Sequence, residues 1–404
     1  MSFDHDRASP FPFDARQSMR PEWGIGFSGA HDMTPANFEF QGVEMDRRSS
    51  CFISASTVKV SALVLAVAAA TQAMAAENGL QRYSPGIGGS DMTTPLVAGW
   101  YVQVPMVAYH ASKLKGNDGN TEVKATPGPG PYAALRSEVS VKADTYALLP
   151  RVTYLDTKQV LGANIGFTVM LPLVKRKAVF TANPLYGQLG LPANSALTTN
   201  IQSHFSQLNG SEMGIGDVEL APLMHWEIGD HQAVTFAPTI VLPTGDYNVG
   251  RRVNPGYGNF VTFRPSVQYA YIGDGWDVGG RAVFSFNTRN KDNGYYSGNM
   301  FNLDWQLMKF VSDDVRVGLQ GYFVRQLTKD TQDLSGFSST QQAALATTSD
   351  LSNGNKASVN AAGPAIGWLK NGGEMLLEGK FLKEFDARNR TEGQAFWLTV
   401  SKPL

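Results

Sequence analysis

The sequence predicts an all-β protein, an antiparallel transmembrane β-barrel of about 12 strands and of the outer-membrane type. Apolar side chains recur at every second residue in about twelve segments, as expected for strands with one apolar face. Short turns alternate with long polar loops, which is typical of barrels that cross the outer membrane. A segment with the features of an export signal precedes the strands. These observations predict a chain that crosses a membrane with strands.

The composition narrows the possible functions. The 404 residues carry a formal net charge of −1 and an isoelectric point near 6.6, so no basic surface for nucleic acid is expected. The 41 glycines and the aromatic content of 11% favour strands and turns over helices.

An export signal is predicted near the N-terminus. Arg47 and Arg48 precede an apolar run over residues 60–70 and a small-x-small cleavage site that ends at Ala75. We therefore expect a signal peptide at 45–75, although a short buried helix is an alternative for the apolar run. Its removal would take away Cys51, the only cysteine. Residues 1–44 are interpreted as a non-native or disordered extension, residues 76–97 as a glycine-rich segment and residues 98–404 as the barrel.

The strand candidates follow one another at the spacing of hairpins. Short turns are predicted at 155–158, 228–231, 273–275, 311–314 and 370–373, and long polar links at 111–142, 175–213, 244–258, 289–297 and 328–357. A soluble sandwich has no reason to place all its long loops at one end, whereas an outer-membrane barrel does so. The predicted strands lie near residues 98–110, 143–154, 159–174, 214–227, 232–243, 259–272, 276–288, 298–310, 315–327, 358–369, 374–386 and 392–402.

A repeated pattern begins with a proline, which is followed at two-residue intervals by an apolar residue and a large apolar or aromatic residue. Proline cannot donate to a β-ladder, so its recurrence on central strands opposes the barrel unless each proline makes a bulge or bend. Four copies end on an aromatic residue close to a short turn, which predicts an aromatic girdle at the periplasmic rim. The six prolines are Pro105, Pro150, Pro222, Pro238, Pro265 and Pro364, and the girdle residues are Tyr154, Trp226, Tyr269 and Trp368.

Periodicity alone does not decide which face of the strands points inward. A soluble barrel would place the apolar face inside, and a secreted β-sandwich would show the same alternation. The export signal, the aromatic girdle and the placement of all long loops at one end favour a barrel whose apolar face contacts lipid.

Three motifs carry a resemblance to a known family. They are Tyr83 to Pro95 followed by Gly99-Trp-Tyr101, Gly214 to Pro222, and Leu242-Pro-Thr-Gly-Asp-Tyr247. The mature chain, from about Gly79 to Leu404, resembles the outer-membrane family named for the meta-pathway of phenol degradation, which includes the SphA-like proteins. The resemblance implies a gram-negative outer-membrane barrel of about this strand count that admits hydrophobic or aromatic compounds. The chain departs from barrels that finish on an aromatic residue, because it ends at Leu404 and its last aromatic residue is Trp397.

If the apolar faces contact lipid, charged residues on the opposite faces line the lumen. About twelve strands predict a narrow lumen. The charged residues could form a constriction that selects solutes, or structural ion pairs that fill the interior. The candidates are Arg151, Asp217, Glu219, Arg264, Arg281, Asp304, Arg316, Glu378 and Lys380.

The glycine-rich segment before the first strand contains a second candidate site. Its central motif is Gly88, Gly89, Ser90, Asp91, Met92 and Thr93. No helix is predicted after it, so a phosphate-binding loop is not expected. The segment would either plug the lumen, where it could gate the channel, or begin the first strand.

The leading functional hypothesis is a passive outer-membrane channel for small hydrophobic or aromatic compounds, which would leave through the lumen or sideways into lipid. The expected partners are the lipid bilayer, these solutes and the outer-membrane assembly machinery, with no nucleic acid. A structural or adhesive barrel that acts through its external loops is the alternative. An outer-membrane lipase is less favoured, because His204, Ser206 and Asn209 lie in a polar loop without fixed geometry. We expect no catalytic residue, cofactor or metal site, since no two histidines have ligand spacing.

Overall fold

The computed structural model describes residues 81–346, 356–371 and 374–404. The predicted signal peptide at 45–75 and the extension at 1–44 lie outside these residues. The strands are β1 Gly99–Lys115, β2 Val123–Ala125, β3 Arg136–Leu148, β4 Arg151–Val160, β5 Ala163–Met170, β6 Leu173–Pro184, β7 Gly210–Ile215, β8 Glu219–Ile228, β9 Gln232–Val241, β10 Thr262–Gly273, β11 Trp276–Asn287, β12 Tyr295–Tyr296, β13 Met300–Phe310, β14 Val315–Gln326, β15 Thr331–Gln332, β16 Ser358–Lys370, β17 Met375–Arg388 and β18 Arg390–Pro403.

The strands close into one antiparallel barrel, because the last strand, β18, pairs with β1. Three of the barrel strands are briefly interrupted, so each consists of two consecutive segments. These segments are β3 and β4, β5 and β6, and β7 and β8. Counted this way, the barrel has twelve strands, since β2, β12 and β15 belong to loops. The predicted fold and the number of strands are confirmed.

Both α-helices of the described part of the chain lie between strands. Helix α1 spans Ser195–Ser206 and α2 spans Ser339–Ala346, and 3-10 turns cover Ser90–Met92, Gly130–Ala134 and Tyr186–Leu189. Helix α1 packs its apolar face against β3 and β6. No described helix is long and apolar enough to span a membrane.

The predicted short turn at 155–158 is wrong. The strand continues through it as β4, with a register shift between Leu155 and Gln159. The chain reverses instead at Leu161 and Gly162, which both have positive φ angles. The Asp156 side chain accepts a hydrogen bond from the Lys158 backbone N–H at 3.1 Å, so a local Asx turn inside a strand produced the turn signal.

The barrel has an apolar outer face, and its inner face carries charged and polar side chains together with a buried apolar cluster. On β10, Phe263, Val267 and Tyr269 are 45%, 50% and 43% exposed, whereas Arg264, between the first two, is only 6% exposed. A soluble barrel would show the opposite arrangement, since its apolar side chains would be buried. The outer surface therefore suits lipid, as expected for a barrel of the outer membrane.

The six repeat prolines do not change the register of the ladders. The register shifts in the described ladders fall elsewhere, so the prolines make no bulge, and a bend at each proline stays a prediction. The facing strand still donates a hydrogen bond to the proline carbonyl at some of these positions. Leu149 donates to Pro105 at 2.9 Å, and Leu171 donates to Pro150 at 3.1 Å. A central strand tolerates such a proline because only one of the two bonds of that residue pair is lost.

Candidate functional site

Residues 81–98, called the lumen segment below, lie inside the barrel before β1 begins. Arg82 is at the long-loop end, where its guanidinium donates to the carbonyl of Gly258 at 2.9 Å and pairs with Asp217 at 2.9 Å. The chain then descends through the lumen and reaches the short-turn end at Gly99. Of the two arrangements expected from sequence, the structure shows the one in which the segment occupies the lumen.

Asp304 of β13 is the most heavily used anchor of the lumen segment. Its carboxylate accepts the Tyr83 hydroxyl at 2.6 Å and the backbone N–H groups of Gly86 at 2.9 Å and Gly88 at 2.8 Å. The aspartate is fully buried. The Tyr83 hydroxyl is the donor of the first of these bonds, since a carboxylate oxygen only accepts.

Asp91 binds two strands that face each other across the lumen. Its carboxylate pairs with Arg151 of β4 at 2.9 Å and with Arg281 of β11 at 3.0 Å. The two guanidinium groups neutralise this carboxylate, and the two ion pairs tie the lumen segment to both walls.

The 3-10 turn Ser90–Met92 and its flanks contact two charged residues of β17. The Ser90 N–H donates to Glu378 at 2.7 Å, and Lys380 donates to the Gly88 carbonyl at 2.6 Å. Glu378 and Lys380 are 3.4 Å apart and also neutralise each other. A Cβ at Gly89 would overlap the Glu378 carboxylate, so a larger residue would have to displace that side chain.

The remaining predicted lumen residues complete the network. Arg264 donates to the Arg82 carbonyl at 2.6 Å and forms an ion pair with Glu219. Arg316 donates to Thr94 at 3.3 Å and pairs with Asp277. Each of the nine predicted lumen residues therefore contacts the lumen segment or pairs with a residue that contacts it.

Sequence analysis missed four polar partners in this network. Asp277 pairs with Arg316, Gln268 donates to the Met92 carbonyl at 2.7 Å, and Gln306 donates to the Thr93 hydroxyl at 2.8 Å. Gln320 donates to Glu378 at 2.8 Å. Their alternation with apolar neighbours already placed them on the inner face, so the same signal that found the charged residues could have found these.

The four predicted girdle residues differ in exposure. Tyr269 and Trp368 are 43% and 37% exposed on the outer face, whereas Tyr154 and Trp226 are half-buried. Tyr154 packs against Trp100, with ring centroids 4.9 Å apart, and Trp226 donates to the Leu161 carbonyl at 3.1 Å. Trp100, which sequence analysis did not include, therefore joins Tyr154 near the short-turn end.

A cavity of about 160 Å³ lies between the lumen segment and one side of the wall. Its apolar lining includes Ile87, Met170, Leu223 and Val283, and threonine and serine hydroxyls line other parts. The charged pairs of Asp91, Arg151, Arg281, Glu219 and Arg264 border it. The cavity thus offers a small, mainly apolar space with polar groups at its edges.

The residues of the disfavoured lipase hypothesis serve helix α1 and its surroundings. The Ser206 hydroxyl donates to the Ser203 carbonyl at 2.7 Å, and the Asn209 side chain accepts from the Phe180 N–H at 2.7 Å. Among the described residues, no cluster of three or more metal-ligating side chains occurs.

Comparison with known proteins identifies the family. The profile of the family described as "Putative MetA-pathway of phenol degradation" matches residues 118–400. The COG4313 outer membrane channel from Pseudomonas putida F1 is similar, with a TM-score of 0.55 and 12% identity over 80% of this chain and 100% of that chain. The CymD monoaromatic hydrocarbon channel is a more distant barrel, with a TM-score of 0.35 and 8% identity over 82% of this chain and 97% of that chain. No curated protein matches in sequence. Since the profile covers well over half of the chain, this outer-membrane β-barrel belongs to the family of the putative MetA-pathway of phenol degradation.

Proposed function

We propose that the protein is a passive channel through which small hydrophobic molecules, in particular aromatic ones, cross the outer membrane. The cavity beside the lumen segment is the observation that carries this proposal. Its volume of about 160 Å³ is close to that of an engineered apolar cavity of ~150 Å³ that binds benzene. One aromatic ring therefore fits, with the hydroxyl groups at the edge available to a polar substituent.

The lumen segment would act as the gate of this channel. Its contacts with the wall are mainly hydrogen bonds and ion pairs, which water can replace when the segment moves. In the docked state the segment fills the lumen around the cavity, so a larger polar solute has little space. The charged residues of the wall would then have two roles. They form the ion pairs that hold the lumen segment when it is docked, and they line the passage when the segment has moved.

The family supports an aromatic solute, since its description refers to phenol degradation. A passive mechanism requires only a concentration gradient and a path that binds the solute weakly. The apolar side chains of the cavity provide such binding, and the charged groups at its edge are paired with one another.

Uptake and permeability measurements test the proposal. The mature barrel is expected to admit a neutral monoaromatic compound into cells and proteoliposomes faster than a sugar of similar size. Ala237→Phe fills the cavity from β9 and should slow the aromatic compound, since overpacking costs ~1–3 kcal/mol. Ala108→Phe is the matched control, because Ala108 lies beside the exposed Phe396 on the outer face. If the barrel admits no small aromatic compound at all, the proposal is wrong.

A further inference from the structure

We propose that the outer face of β3 and β6 binds the phosphate groups of lipid A, the phosphorylated glycolipid of the outer leaflet. The residues that bind them are Lys142 of β3 and Lys175 and Lys177 of β6, called the lysine cluster below. The proposal concerns how the barrel is held in its membrane, and it does not depend on which solute the channel carries.

The lysine cluster lies on the lipid-facing side of the wall. On β6, Lys175 and Lys177 are exposed, whereas Arg176 between them is buried. On β3, Lys142 is exposed and the preceding Val141 is buried. Side chains on a strand alternate between its two faces, so the three ammonium groups point out of the barrel.

The cluster begins where the apolar band of the outer face ends. The outward residues from Phe167 to Leu173 are apolar, and Lys175 is the next outward residue. From Ala163, beside the short turn, the wall runs ~40 Å to Lys175 at ~3.3 Å per residue. A tilt of ~35–45° makes this a height of ~30 Å, slightly more than the apolar band of ~25 Å. Tyr146, which is 53% exposed, faces Lys175 and is typical of the membrane interface.

The protein does not neutralise the charge of the lysine cluster. In the described part of the chain, none of the three lysines forms an ion pair. Asp144 faces Lys177 in the ladder, but its carboxylate bonds to the His110 ring at 2.6 Å. The next outward carboxylate of β3 is Glu138, ~13 Å along the strand from Lys142. The cluster therefore keeps a net positive charge even when Asp144 is counted.

The spacing of the three lysines suits one phosphate group. Lys175 and Lys177 are next neighbours on one face of β6, so their Cα atoms are ~6.6 Å apart. Lys142 faces Val179 and is therefore diagonal to Lys177, at a distance of ~7–8 Å. The flexible side chain of lysine allows ammonium groups at these distances to converge on a single anion.

The groups on either side of the cluster favour a glycolipid as the source of the phosphate. On the membrane side, Leu173 and Tyr146 provide an apolar surface for acyl chains. On the long-loop side, the hydroxyls of Ser140 and Thr181 lie 2.7 Å apart and offer hydrogen bonds to sugar hydroxyls. From the membrane outwards, the surface is thus apolar, cationic and hydroxylated, which matches the acyl chains, phosphates and sugars of a lipopolysaccharide.

Another part of the outer face lacks this arrangement. On β10 and β11, Phe263 and Phe286 face each other at the long-loop end and are 45% and 43% exposed. The apolar surface there continues to the ends of the strands, so the lysine cluster is a local site on the barrel.

Removal of the charges tests the proposal. Binding of lipid A to the mature barrel in detergent is measured by native mass spectrometry. The cluster variant combines Lys142→Gln, Lys175→Gln and Lys177→Gln. The matched control removes three exposed lysines near the short-turn end, with Lys158→Gln, Lys309→Gln and Lys402→Gln. Lipid A should bind the parent and the control equally, and the cluster variant at least ~tenfold more weakly.

Further measurements identify the bound group. Lipid A without its phosphates should bind the unaltered protein at least ~tenfold more weakly than phosphorylated lipid A, a comparison that does not depend on how a variant folds. Replacement of the three lysines by arginine keeps the charges and should preserve binding. Equal affinity of the cluster and control variants for lipid A would overturn the proposal. Displacement of lipid A by an equal concentration of inorganic phosphate would also overturn it, because the site would then recognise free phosphate.

Discussion

Asp304→Asn should release the lumen segment from the barrel wall. The carboxylate accepts three hydrogen bonds from the segment, and the amide can accept only through its one remaining oxygen. Depending on its orientation, the new NH₂ group would face either the Gly86 N–H or both the Tyr83 hydroxyl and the Gly88 N–H. Hydrogen bonds to a charged group contribute ~1.5–3 kcal/mol each. Allowing for a rearranged segment, we expect docking to weaken by ~2–4 kcal/mol, which is a ~30- to ~900-fold change in the ratio of undocked to docked segment.

A reporter cysteine in the segment measures this ratio. Ser90 is fully buried, so Ser90→Cys in a Cys51→Ser background should react with a water-soluble maleimide only when the segment undocks. The labelling rate and the single-channel conductance should both rise in the Asp304→Asn variant.

Glu384→Gln is the matched control for this experiment. Glu384 is a buried carboxylate that accepts the hydroxyls of Tyr109 and Tyr322, both at 2.8 Å, and these residues belong to the wall. Its substitution should lower the stability of the barrel without increasing the labelling of the reporter. An unchanged labelling rate in a correctly folded Asp304→Asn variant would refute the conclusion that this carboxylate holds the segment.

Three further predictions concern the lumen segment. Gly89→Ala should raise reporter labelling, since the added Cβ overlaps Glu378 and overpacking costs ~1–3 kcal/mol, whereas Gly187→Ala should have no effect because its Cβ meets nothing within 4 Å. Asp91→Asn should also raise reporter labelling at neutral pH, because the amide no longer neutralises the guanidinium groups of Arg151 and Arg281, and unchanged labelling would show that these ion pairs do not hold the segment. Arg82→Gln should increase hydrogen exchange at residues 83–88, because it breaks a buried ion pair; unchanged exchange would contradict the structure.

Much of the barrel could be predicted from local patterns. Alternation on β10 and β13 revealed their two faces, because side chains on a strand point to opposite sides at every second residue. The turn at 155–158 could not be placed correctly, since an Asx turn looks the same in sequence whether it ends a strand or bulges within it. The effect of the prolines was also mispredicted, because their cost depends on which residue faces each of them across the ladder.

The candidate site was predictable as a set of residues but not as an arrangement. The alternation of apolar and polar residues along the strands placed Arg281 and Asp304 in the lumen. The glycine-rich sequence around Asp91 marked that segment as unusual. That Asp91 bridges Arg151 and Arg281 depends on the closure of the barrel, which brings strands far apart in sequence to opposite sides of one lumen.

The sequence by itself determined the membrane-spanning β-architecture, its strand count and the polarity of its two faces, because these depend on periodicity within single strands. The tertiary structure alone decided that the lumen segment is docked inside and that a cavity remains beside it. Those features depend on register between strands and on the path of a segment without repeating pattern, and neither is encoded in local spacing.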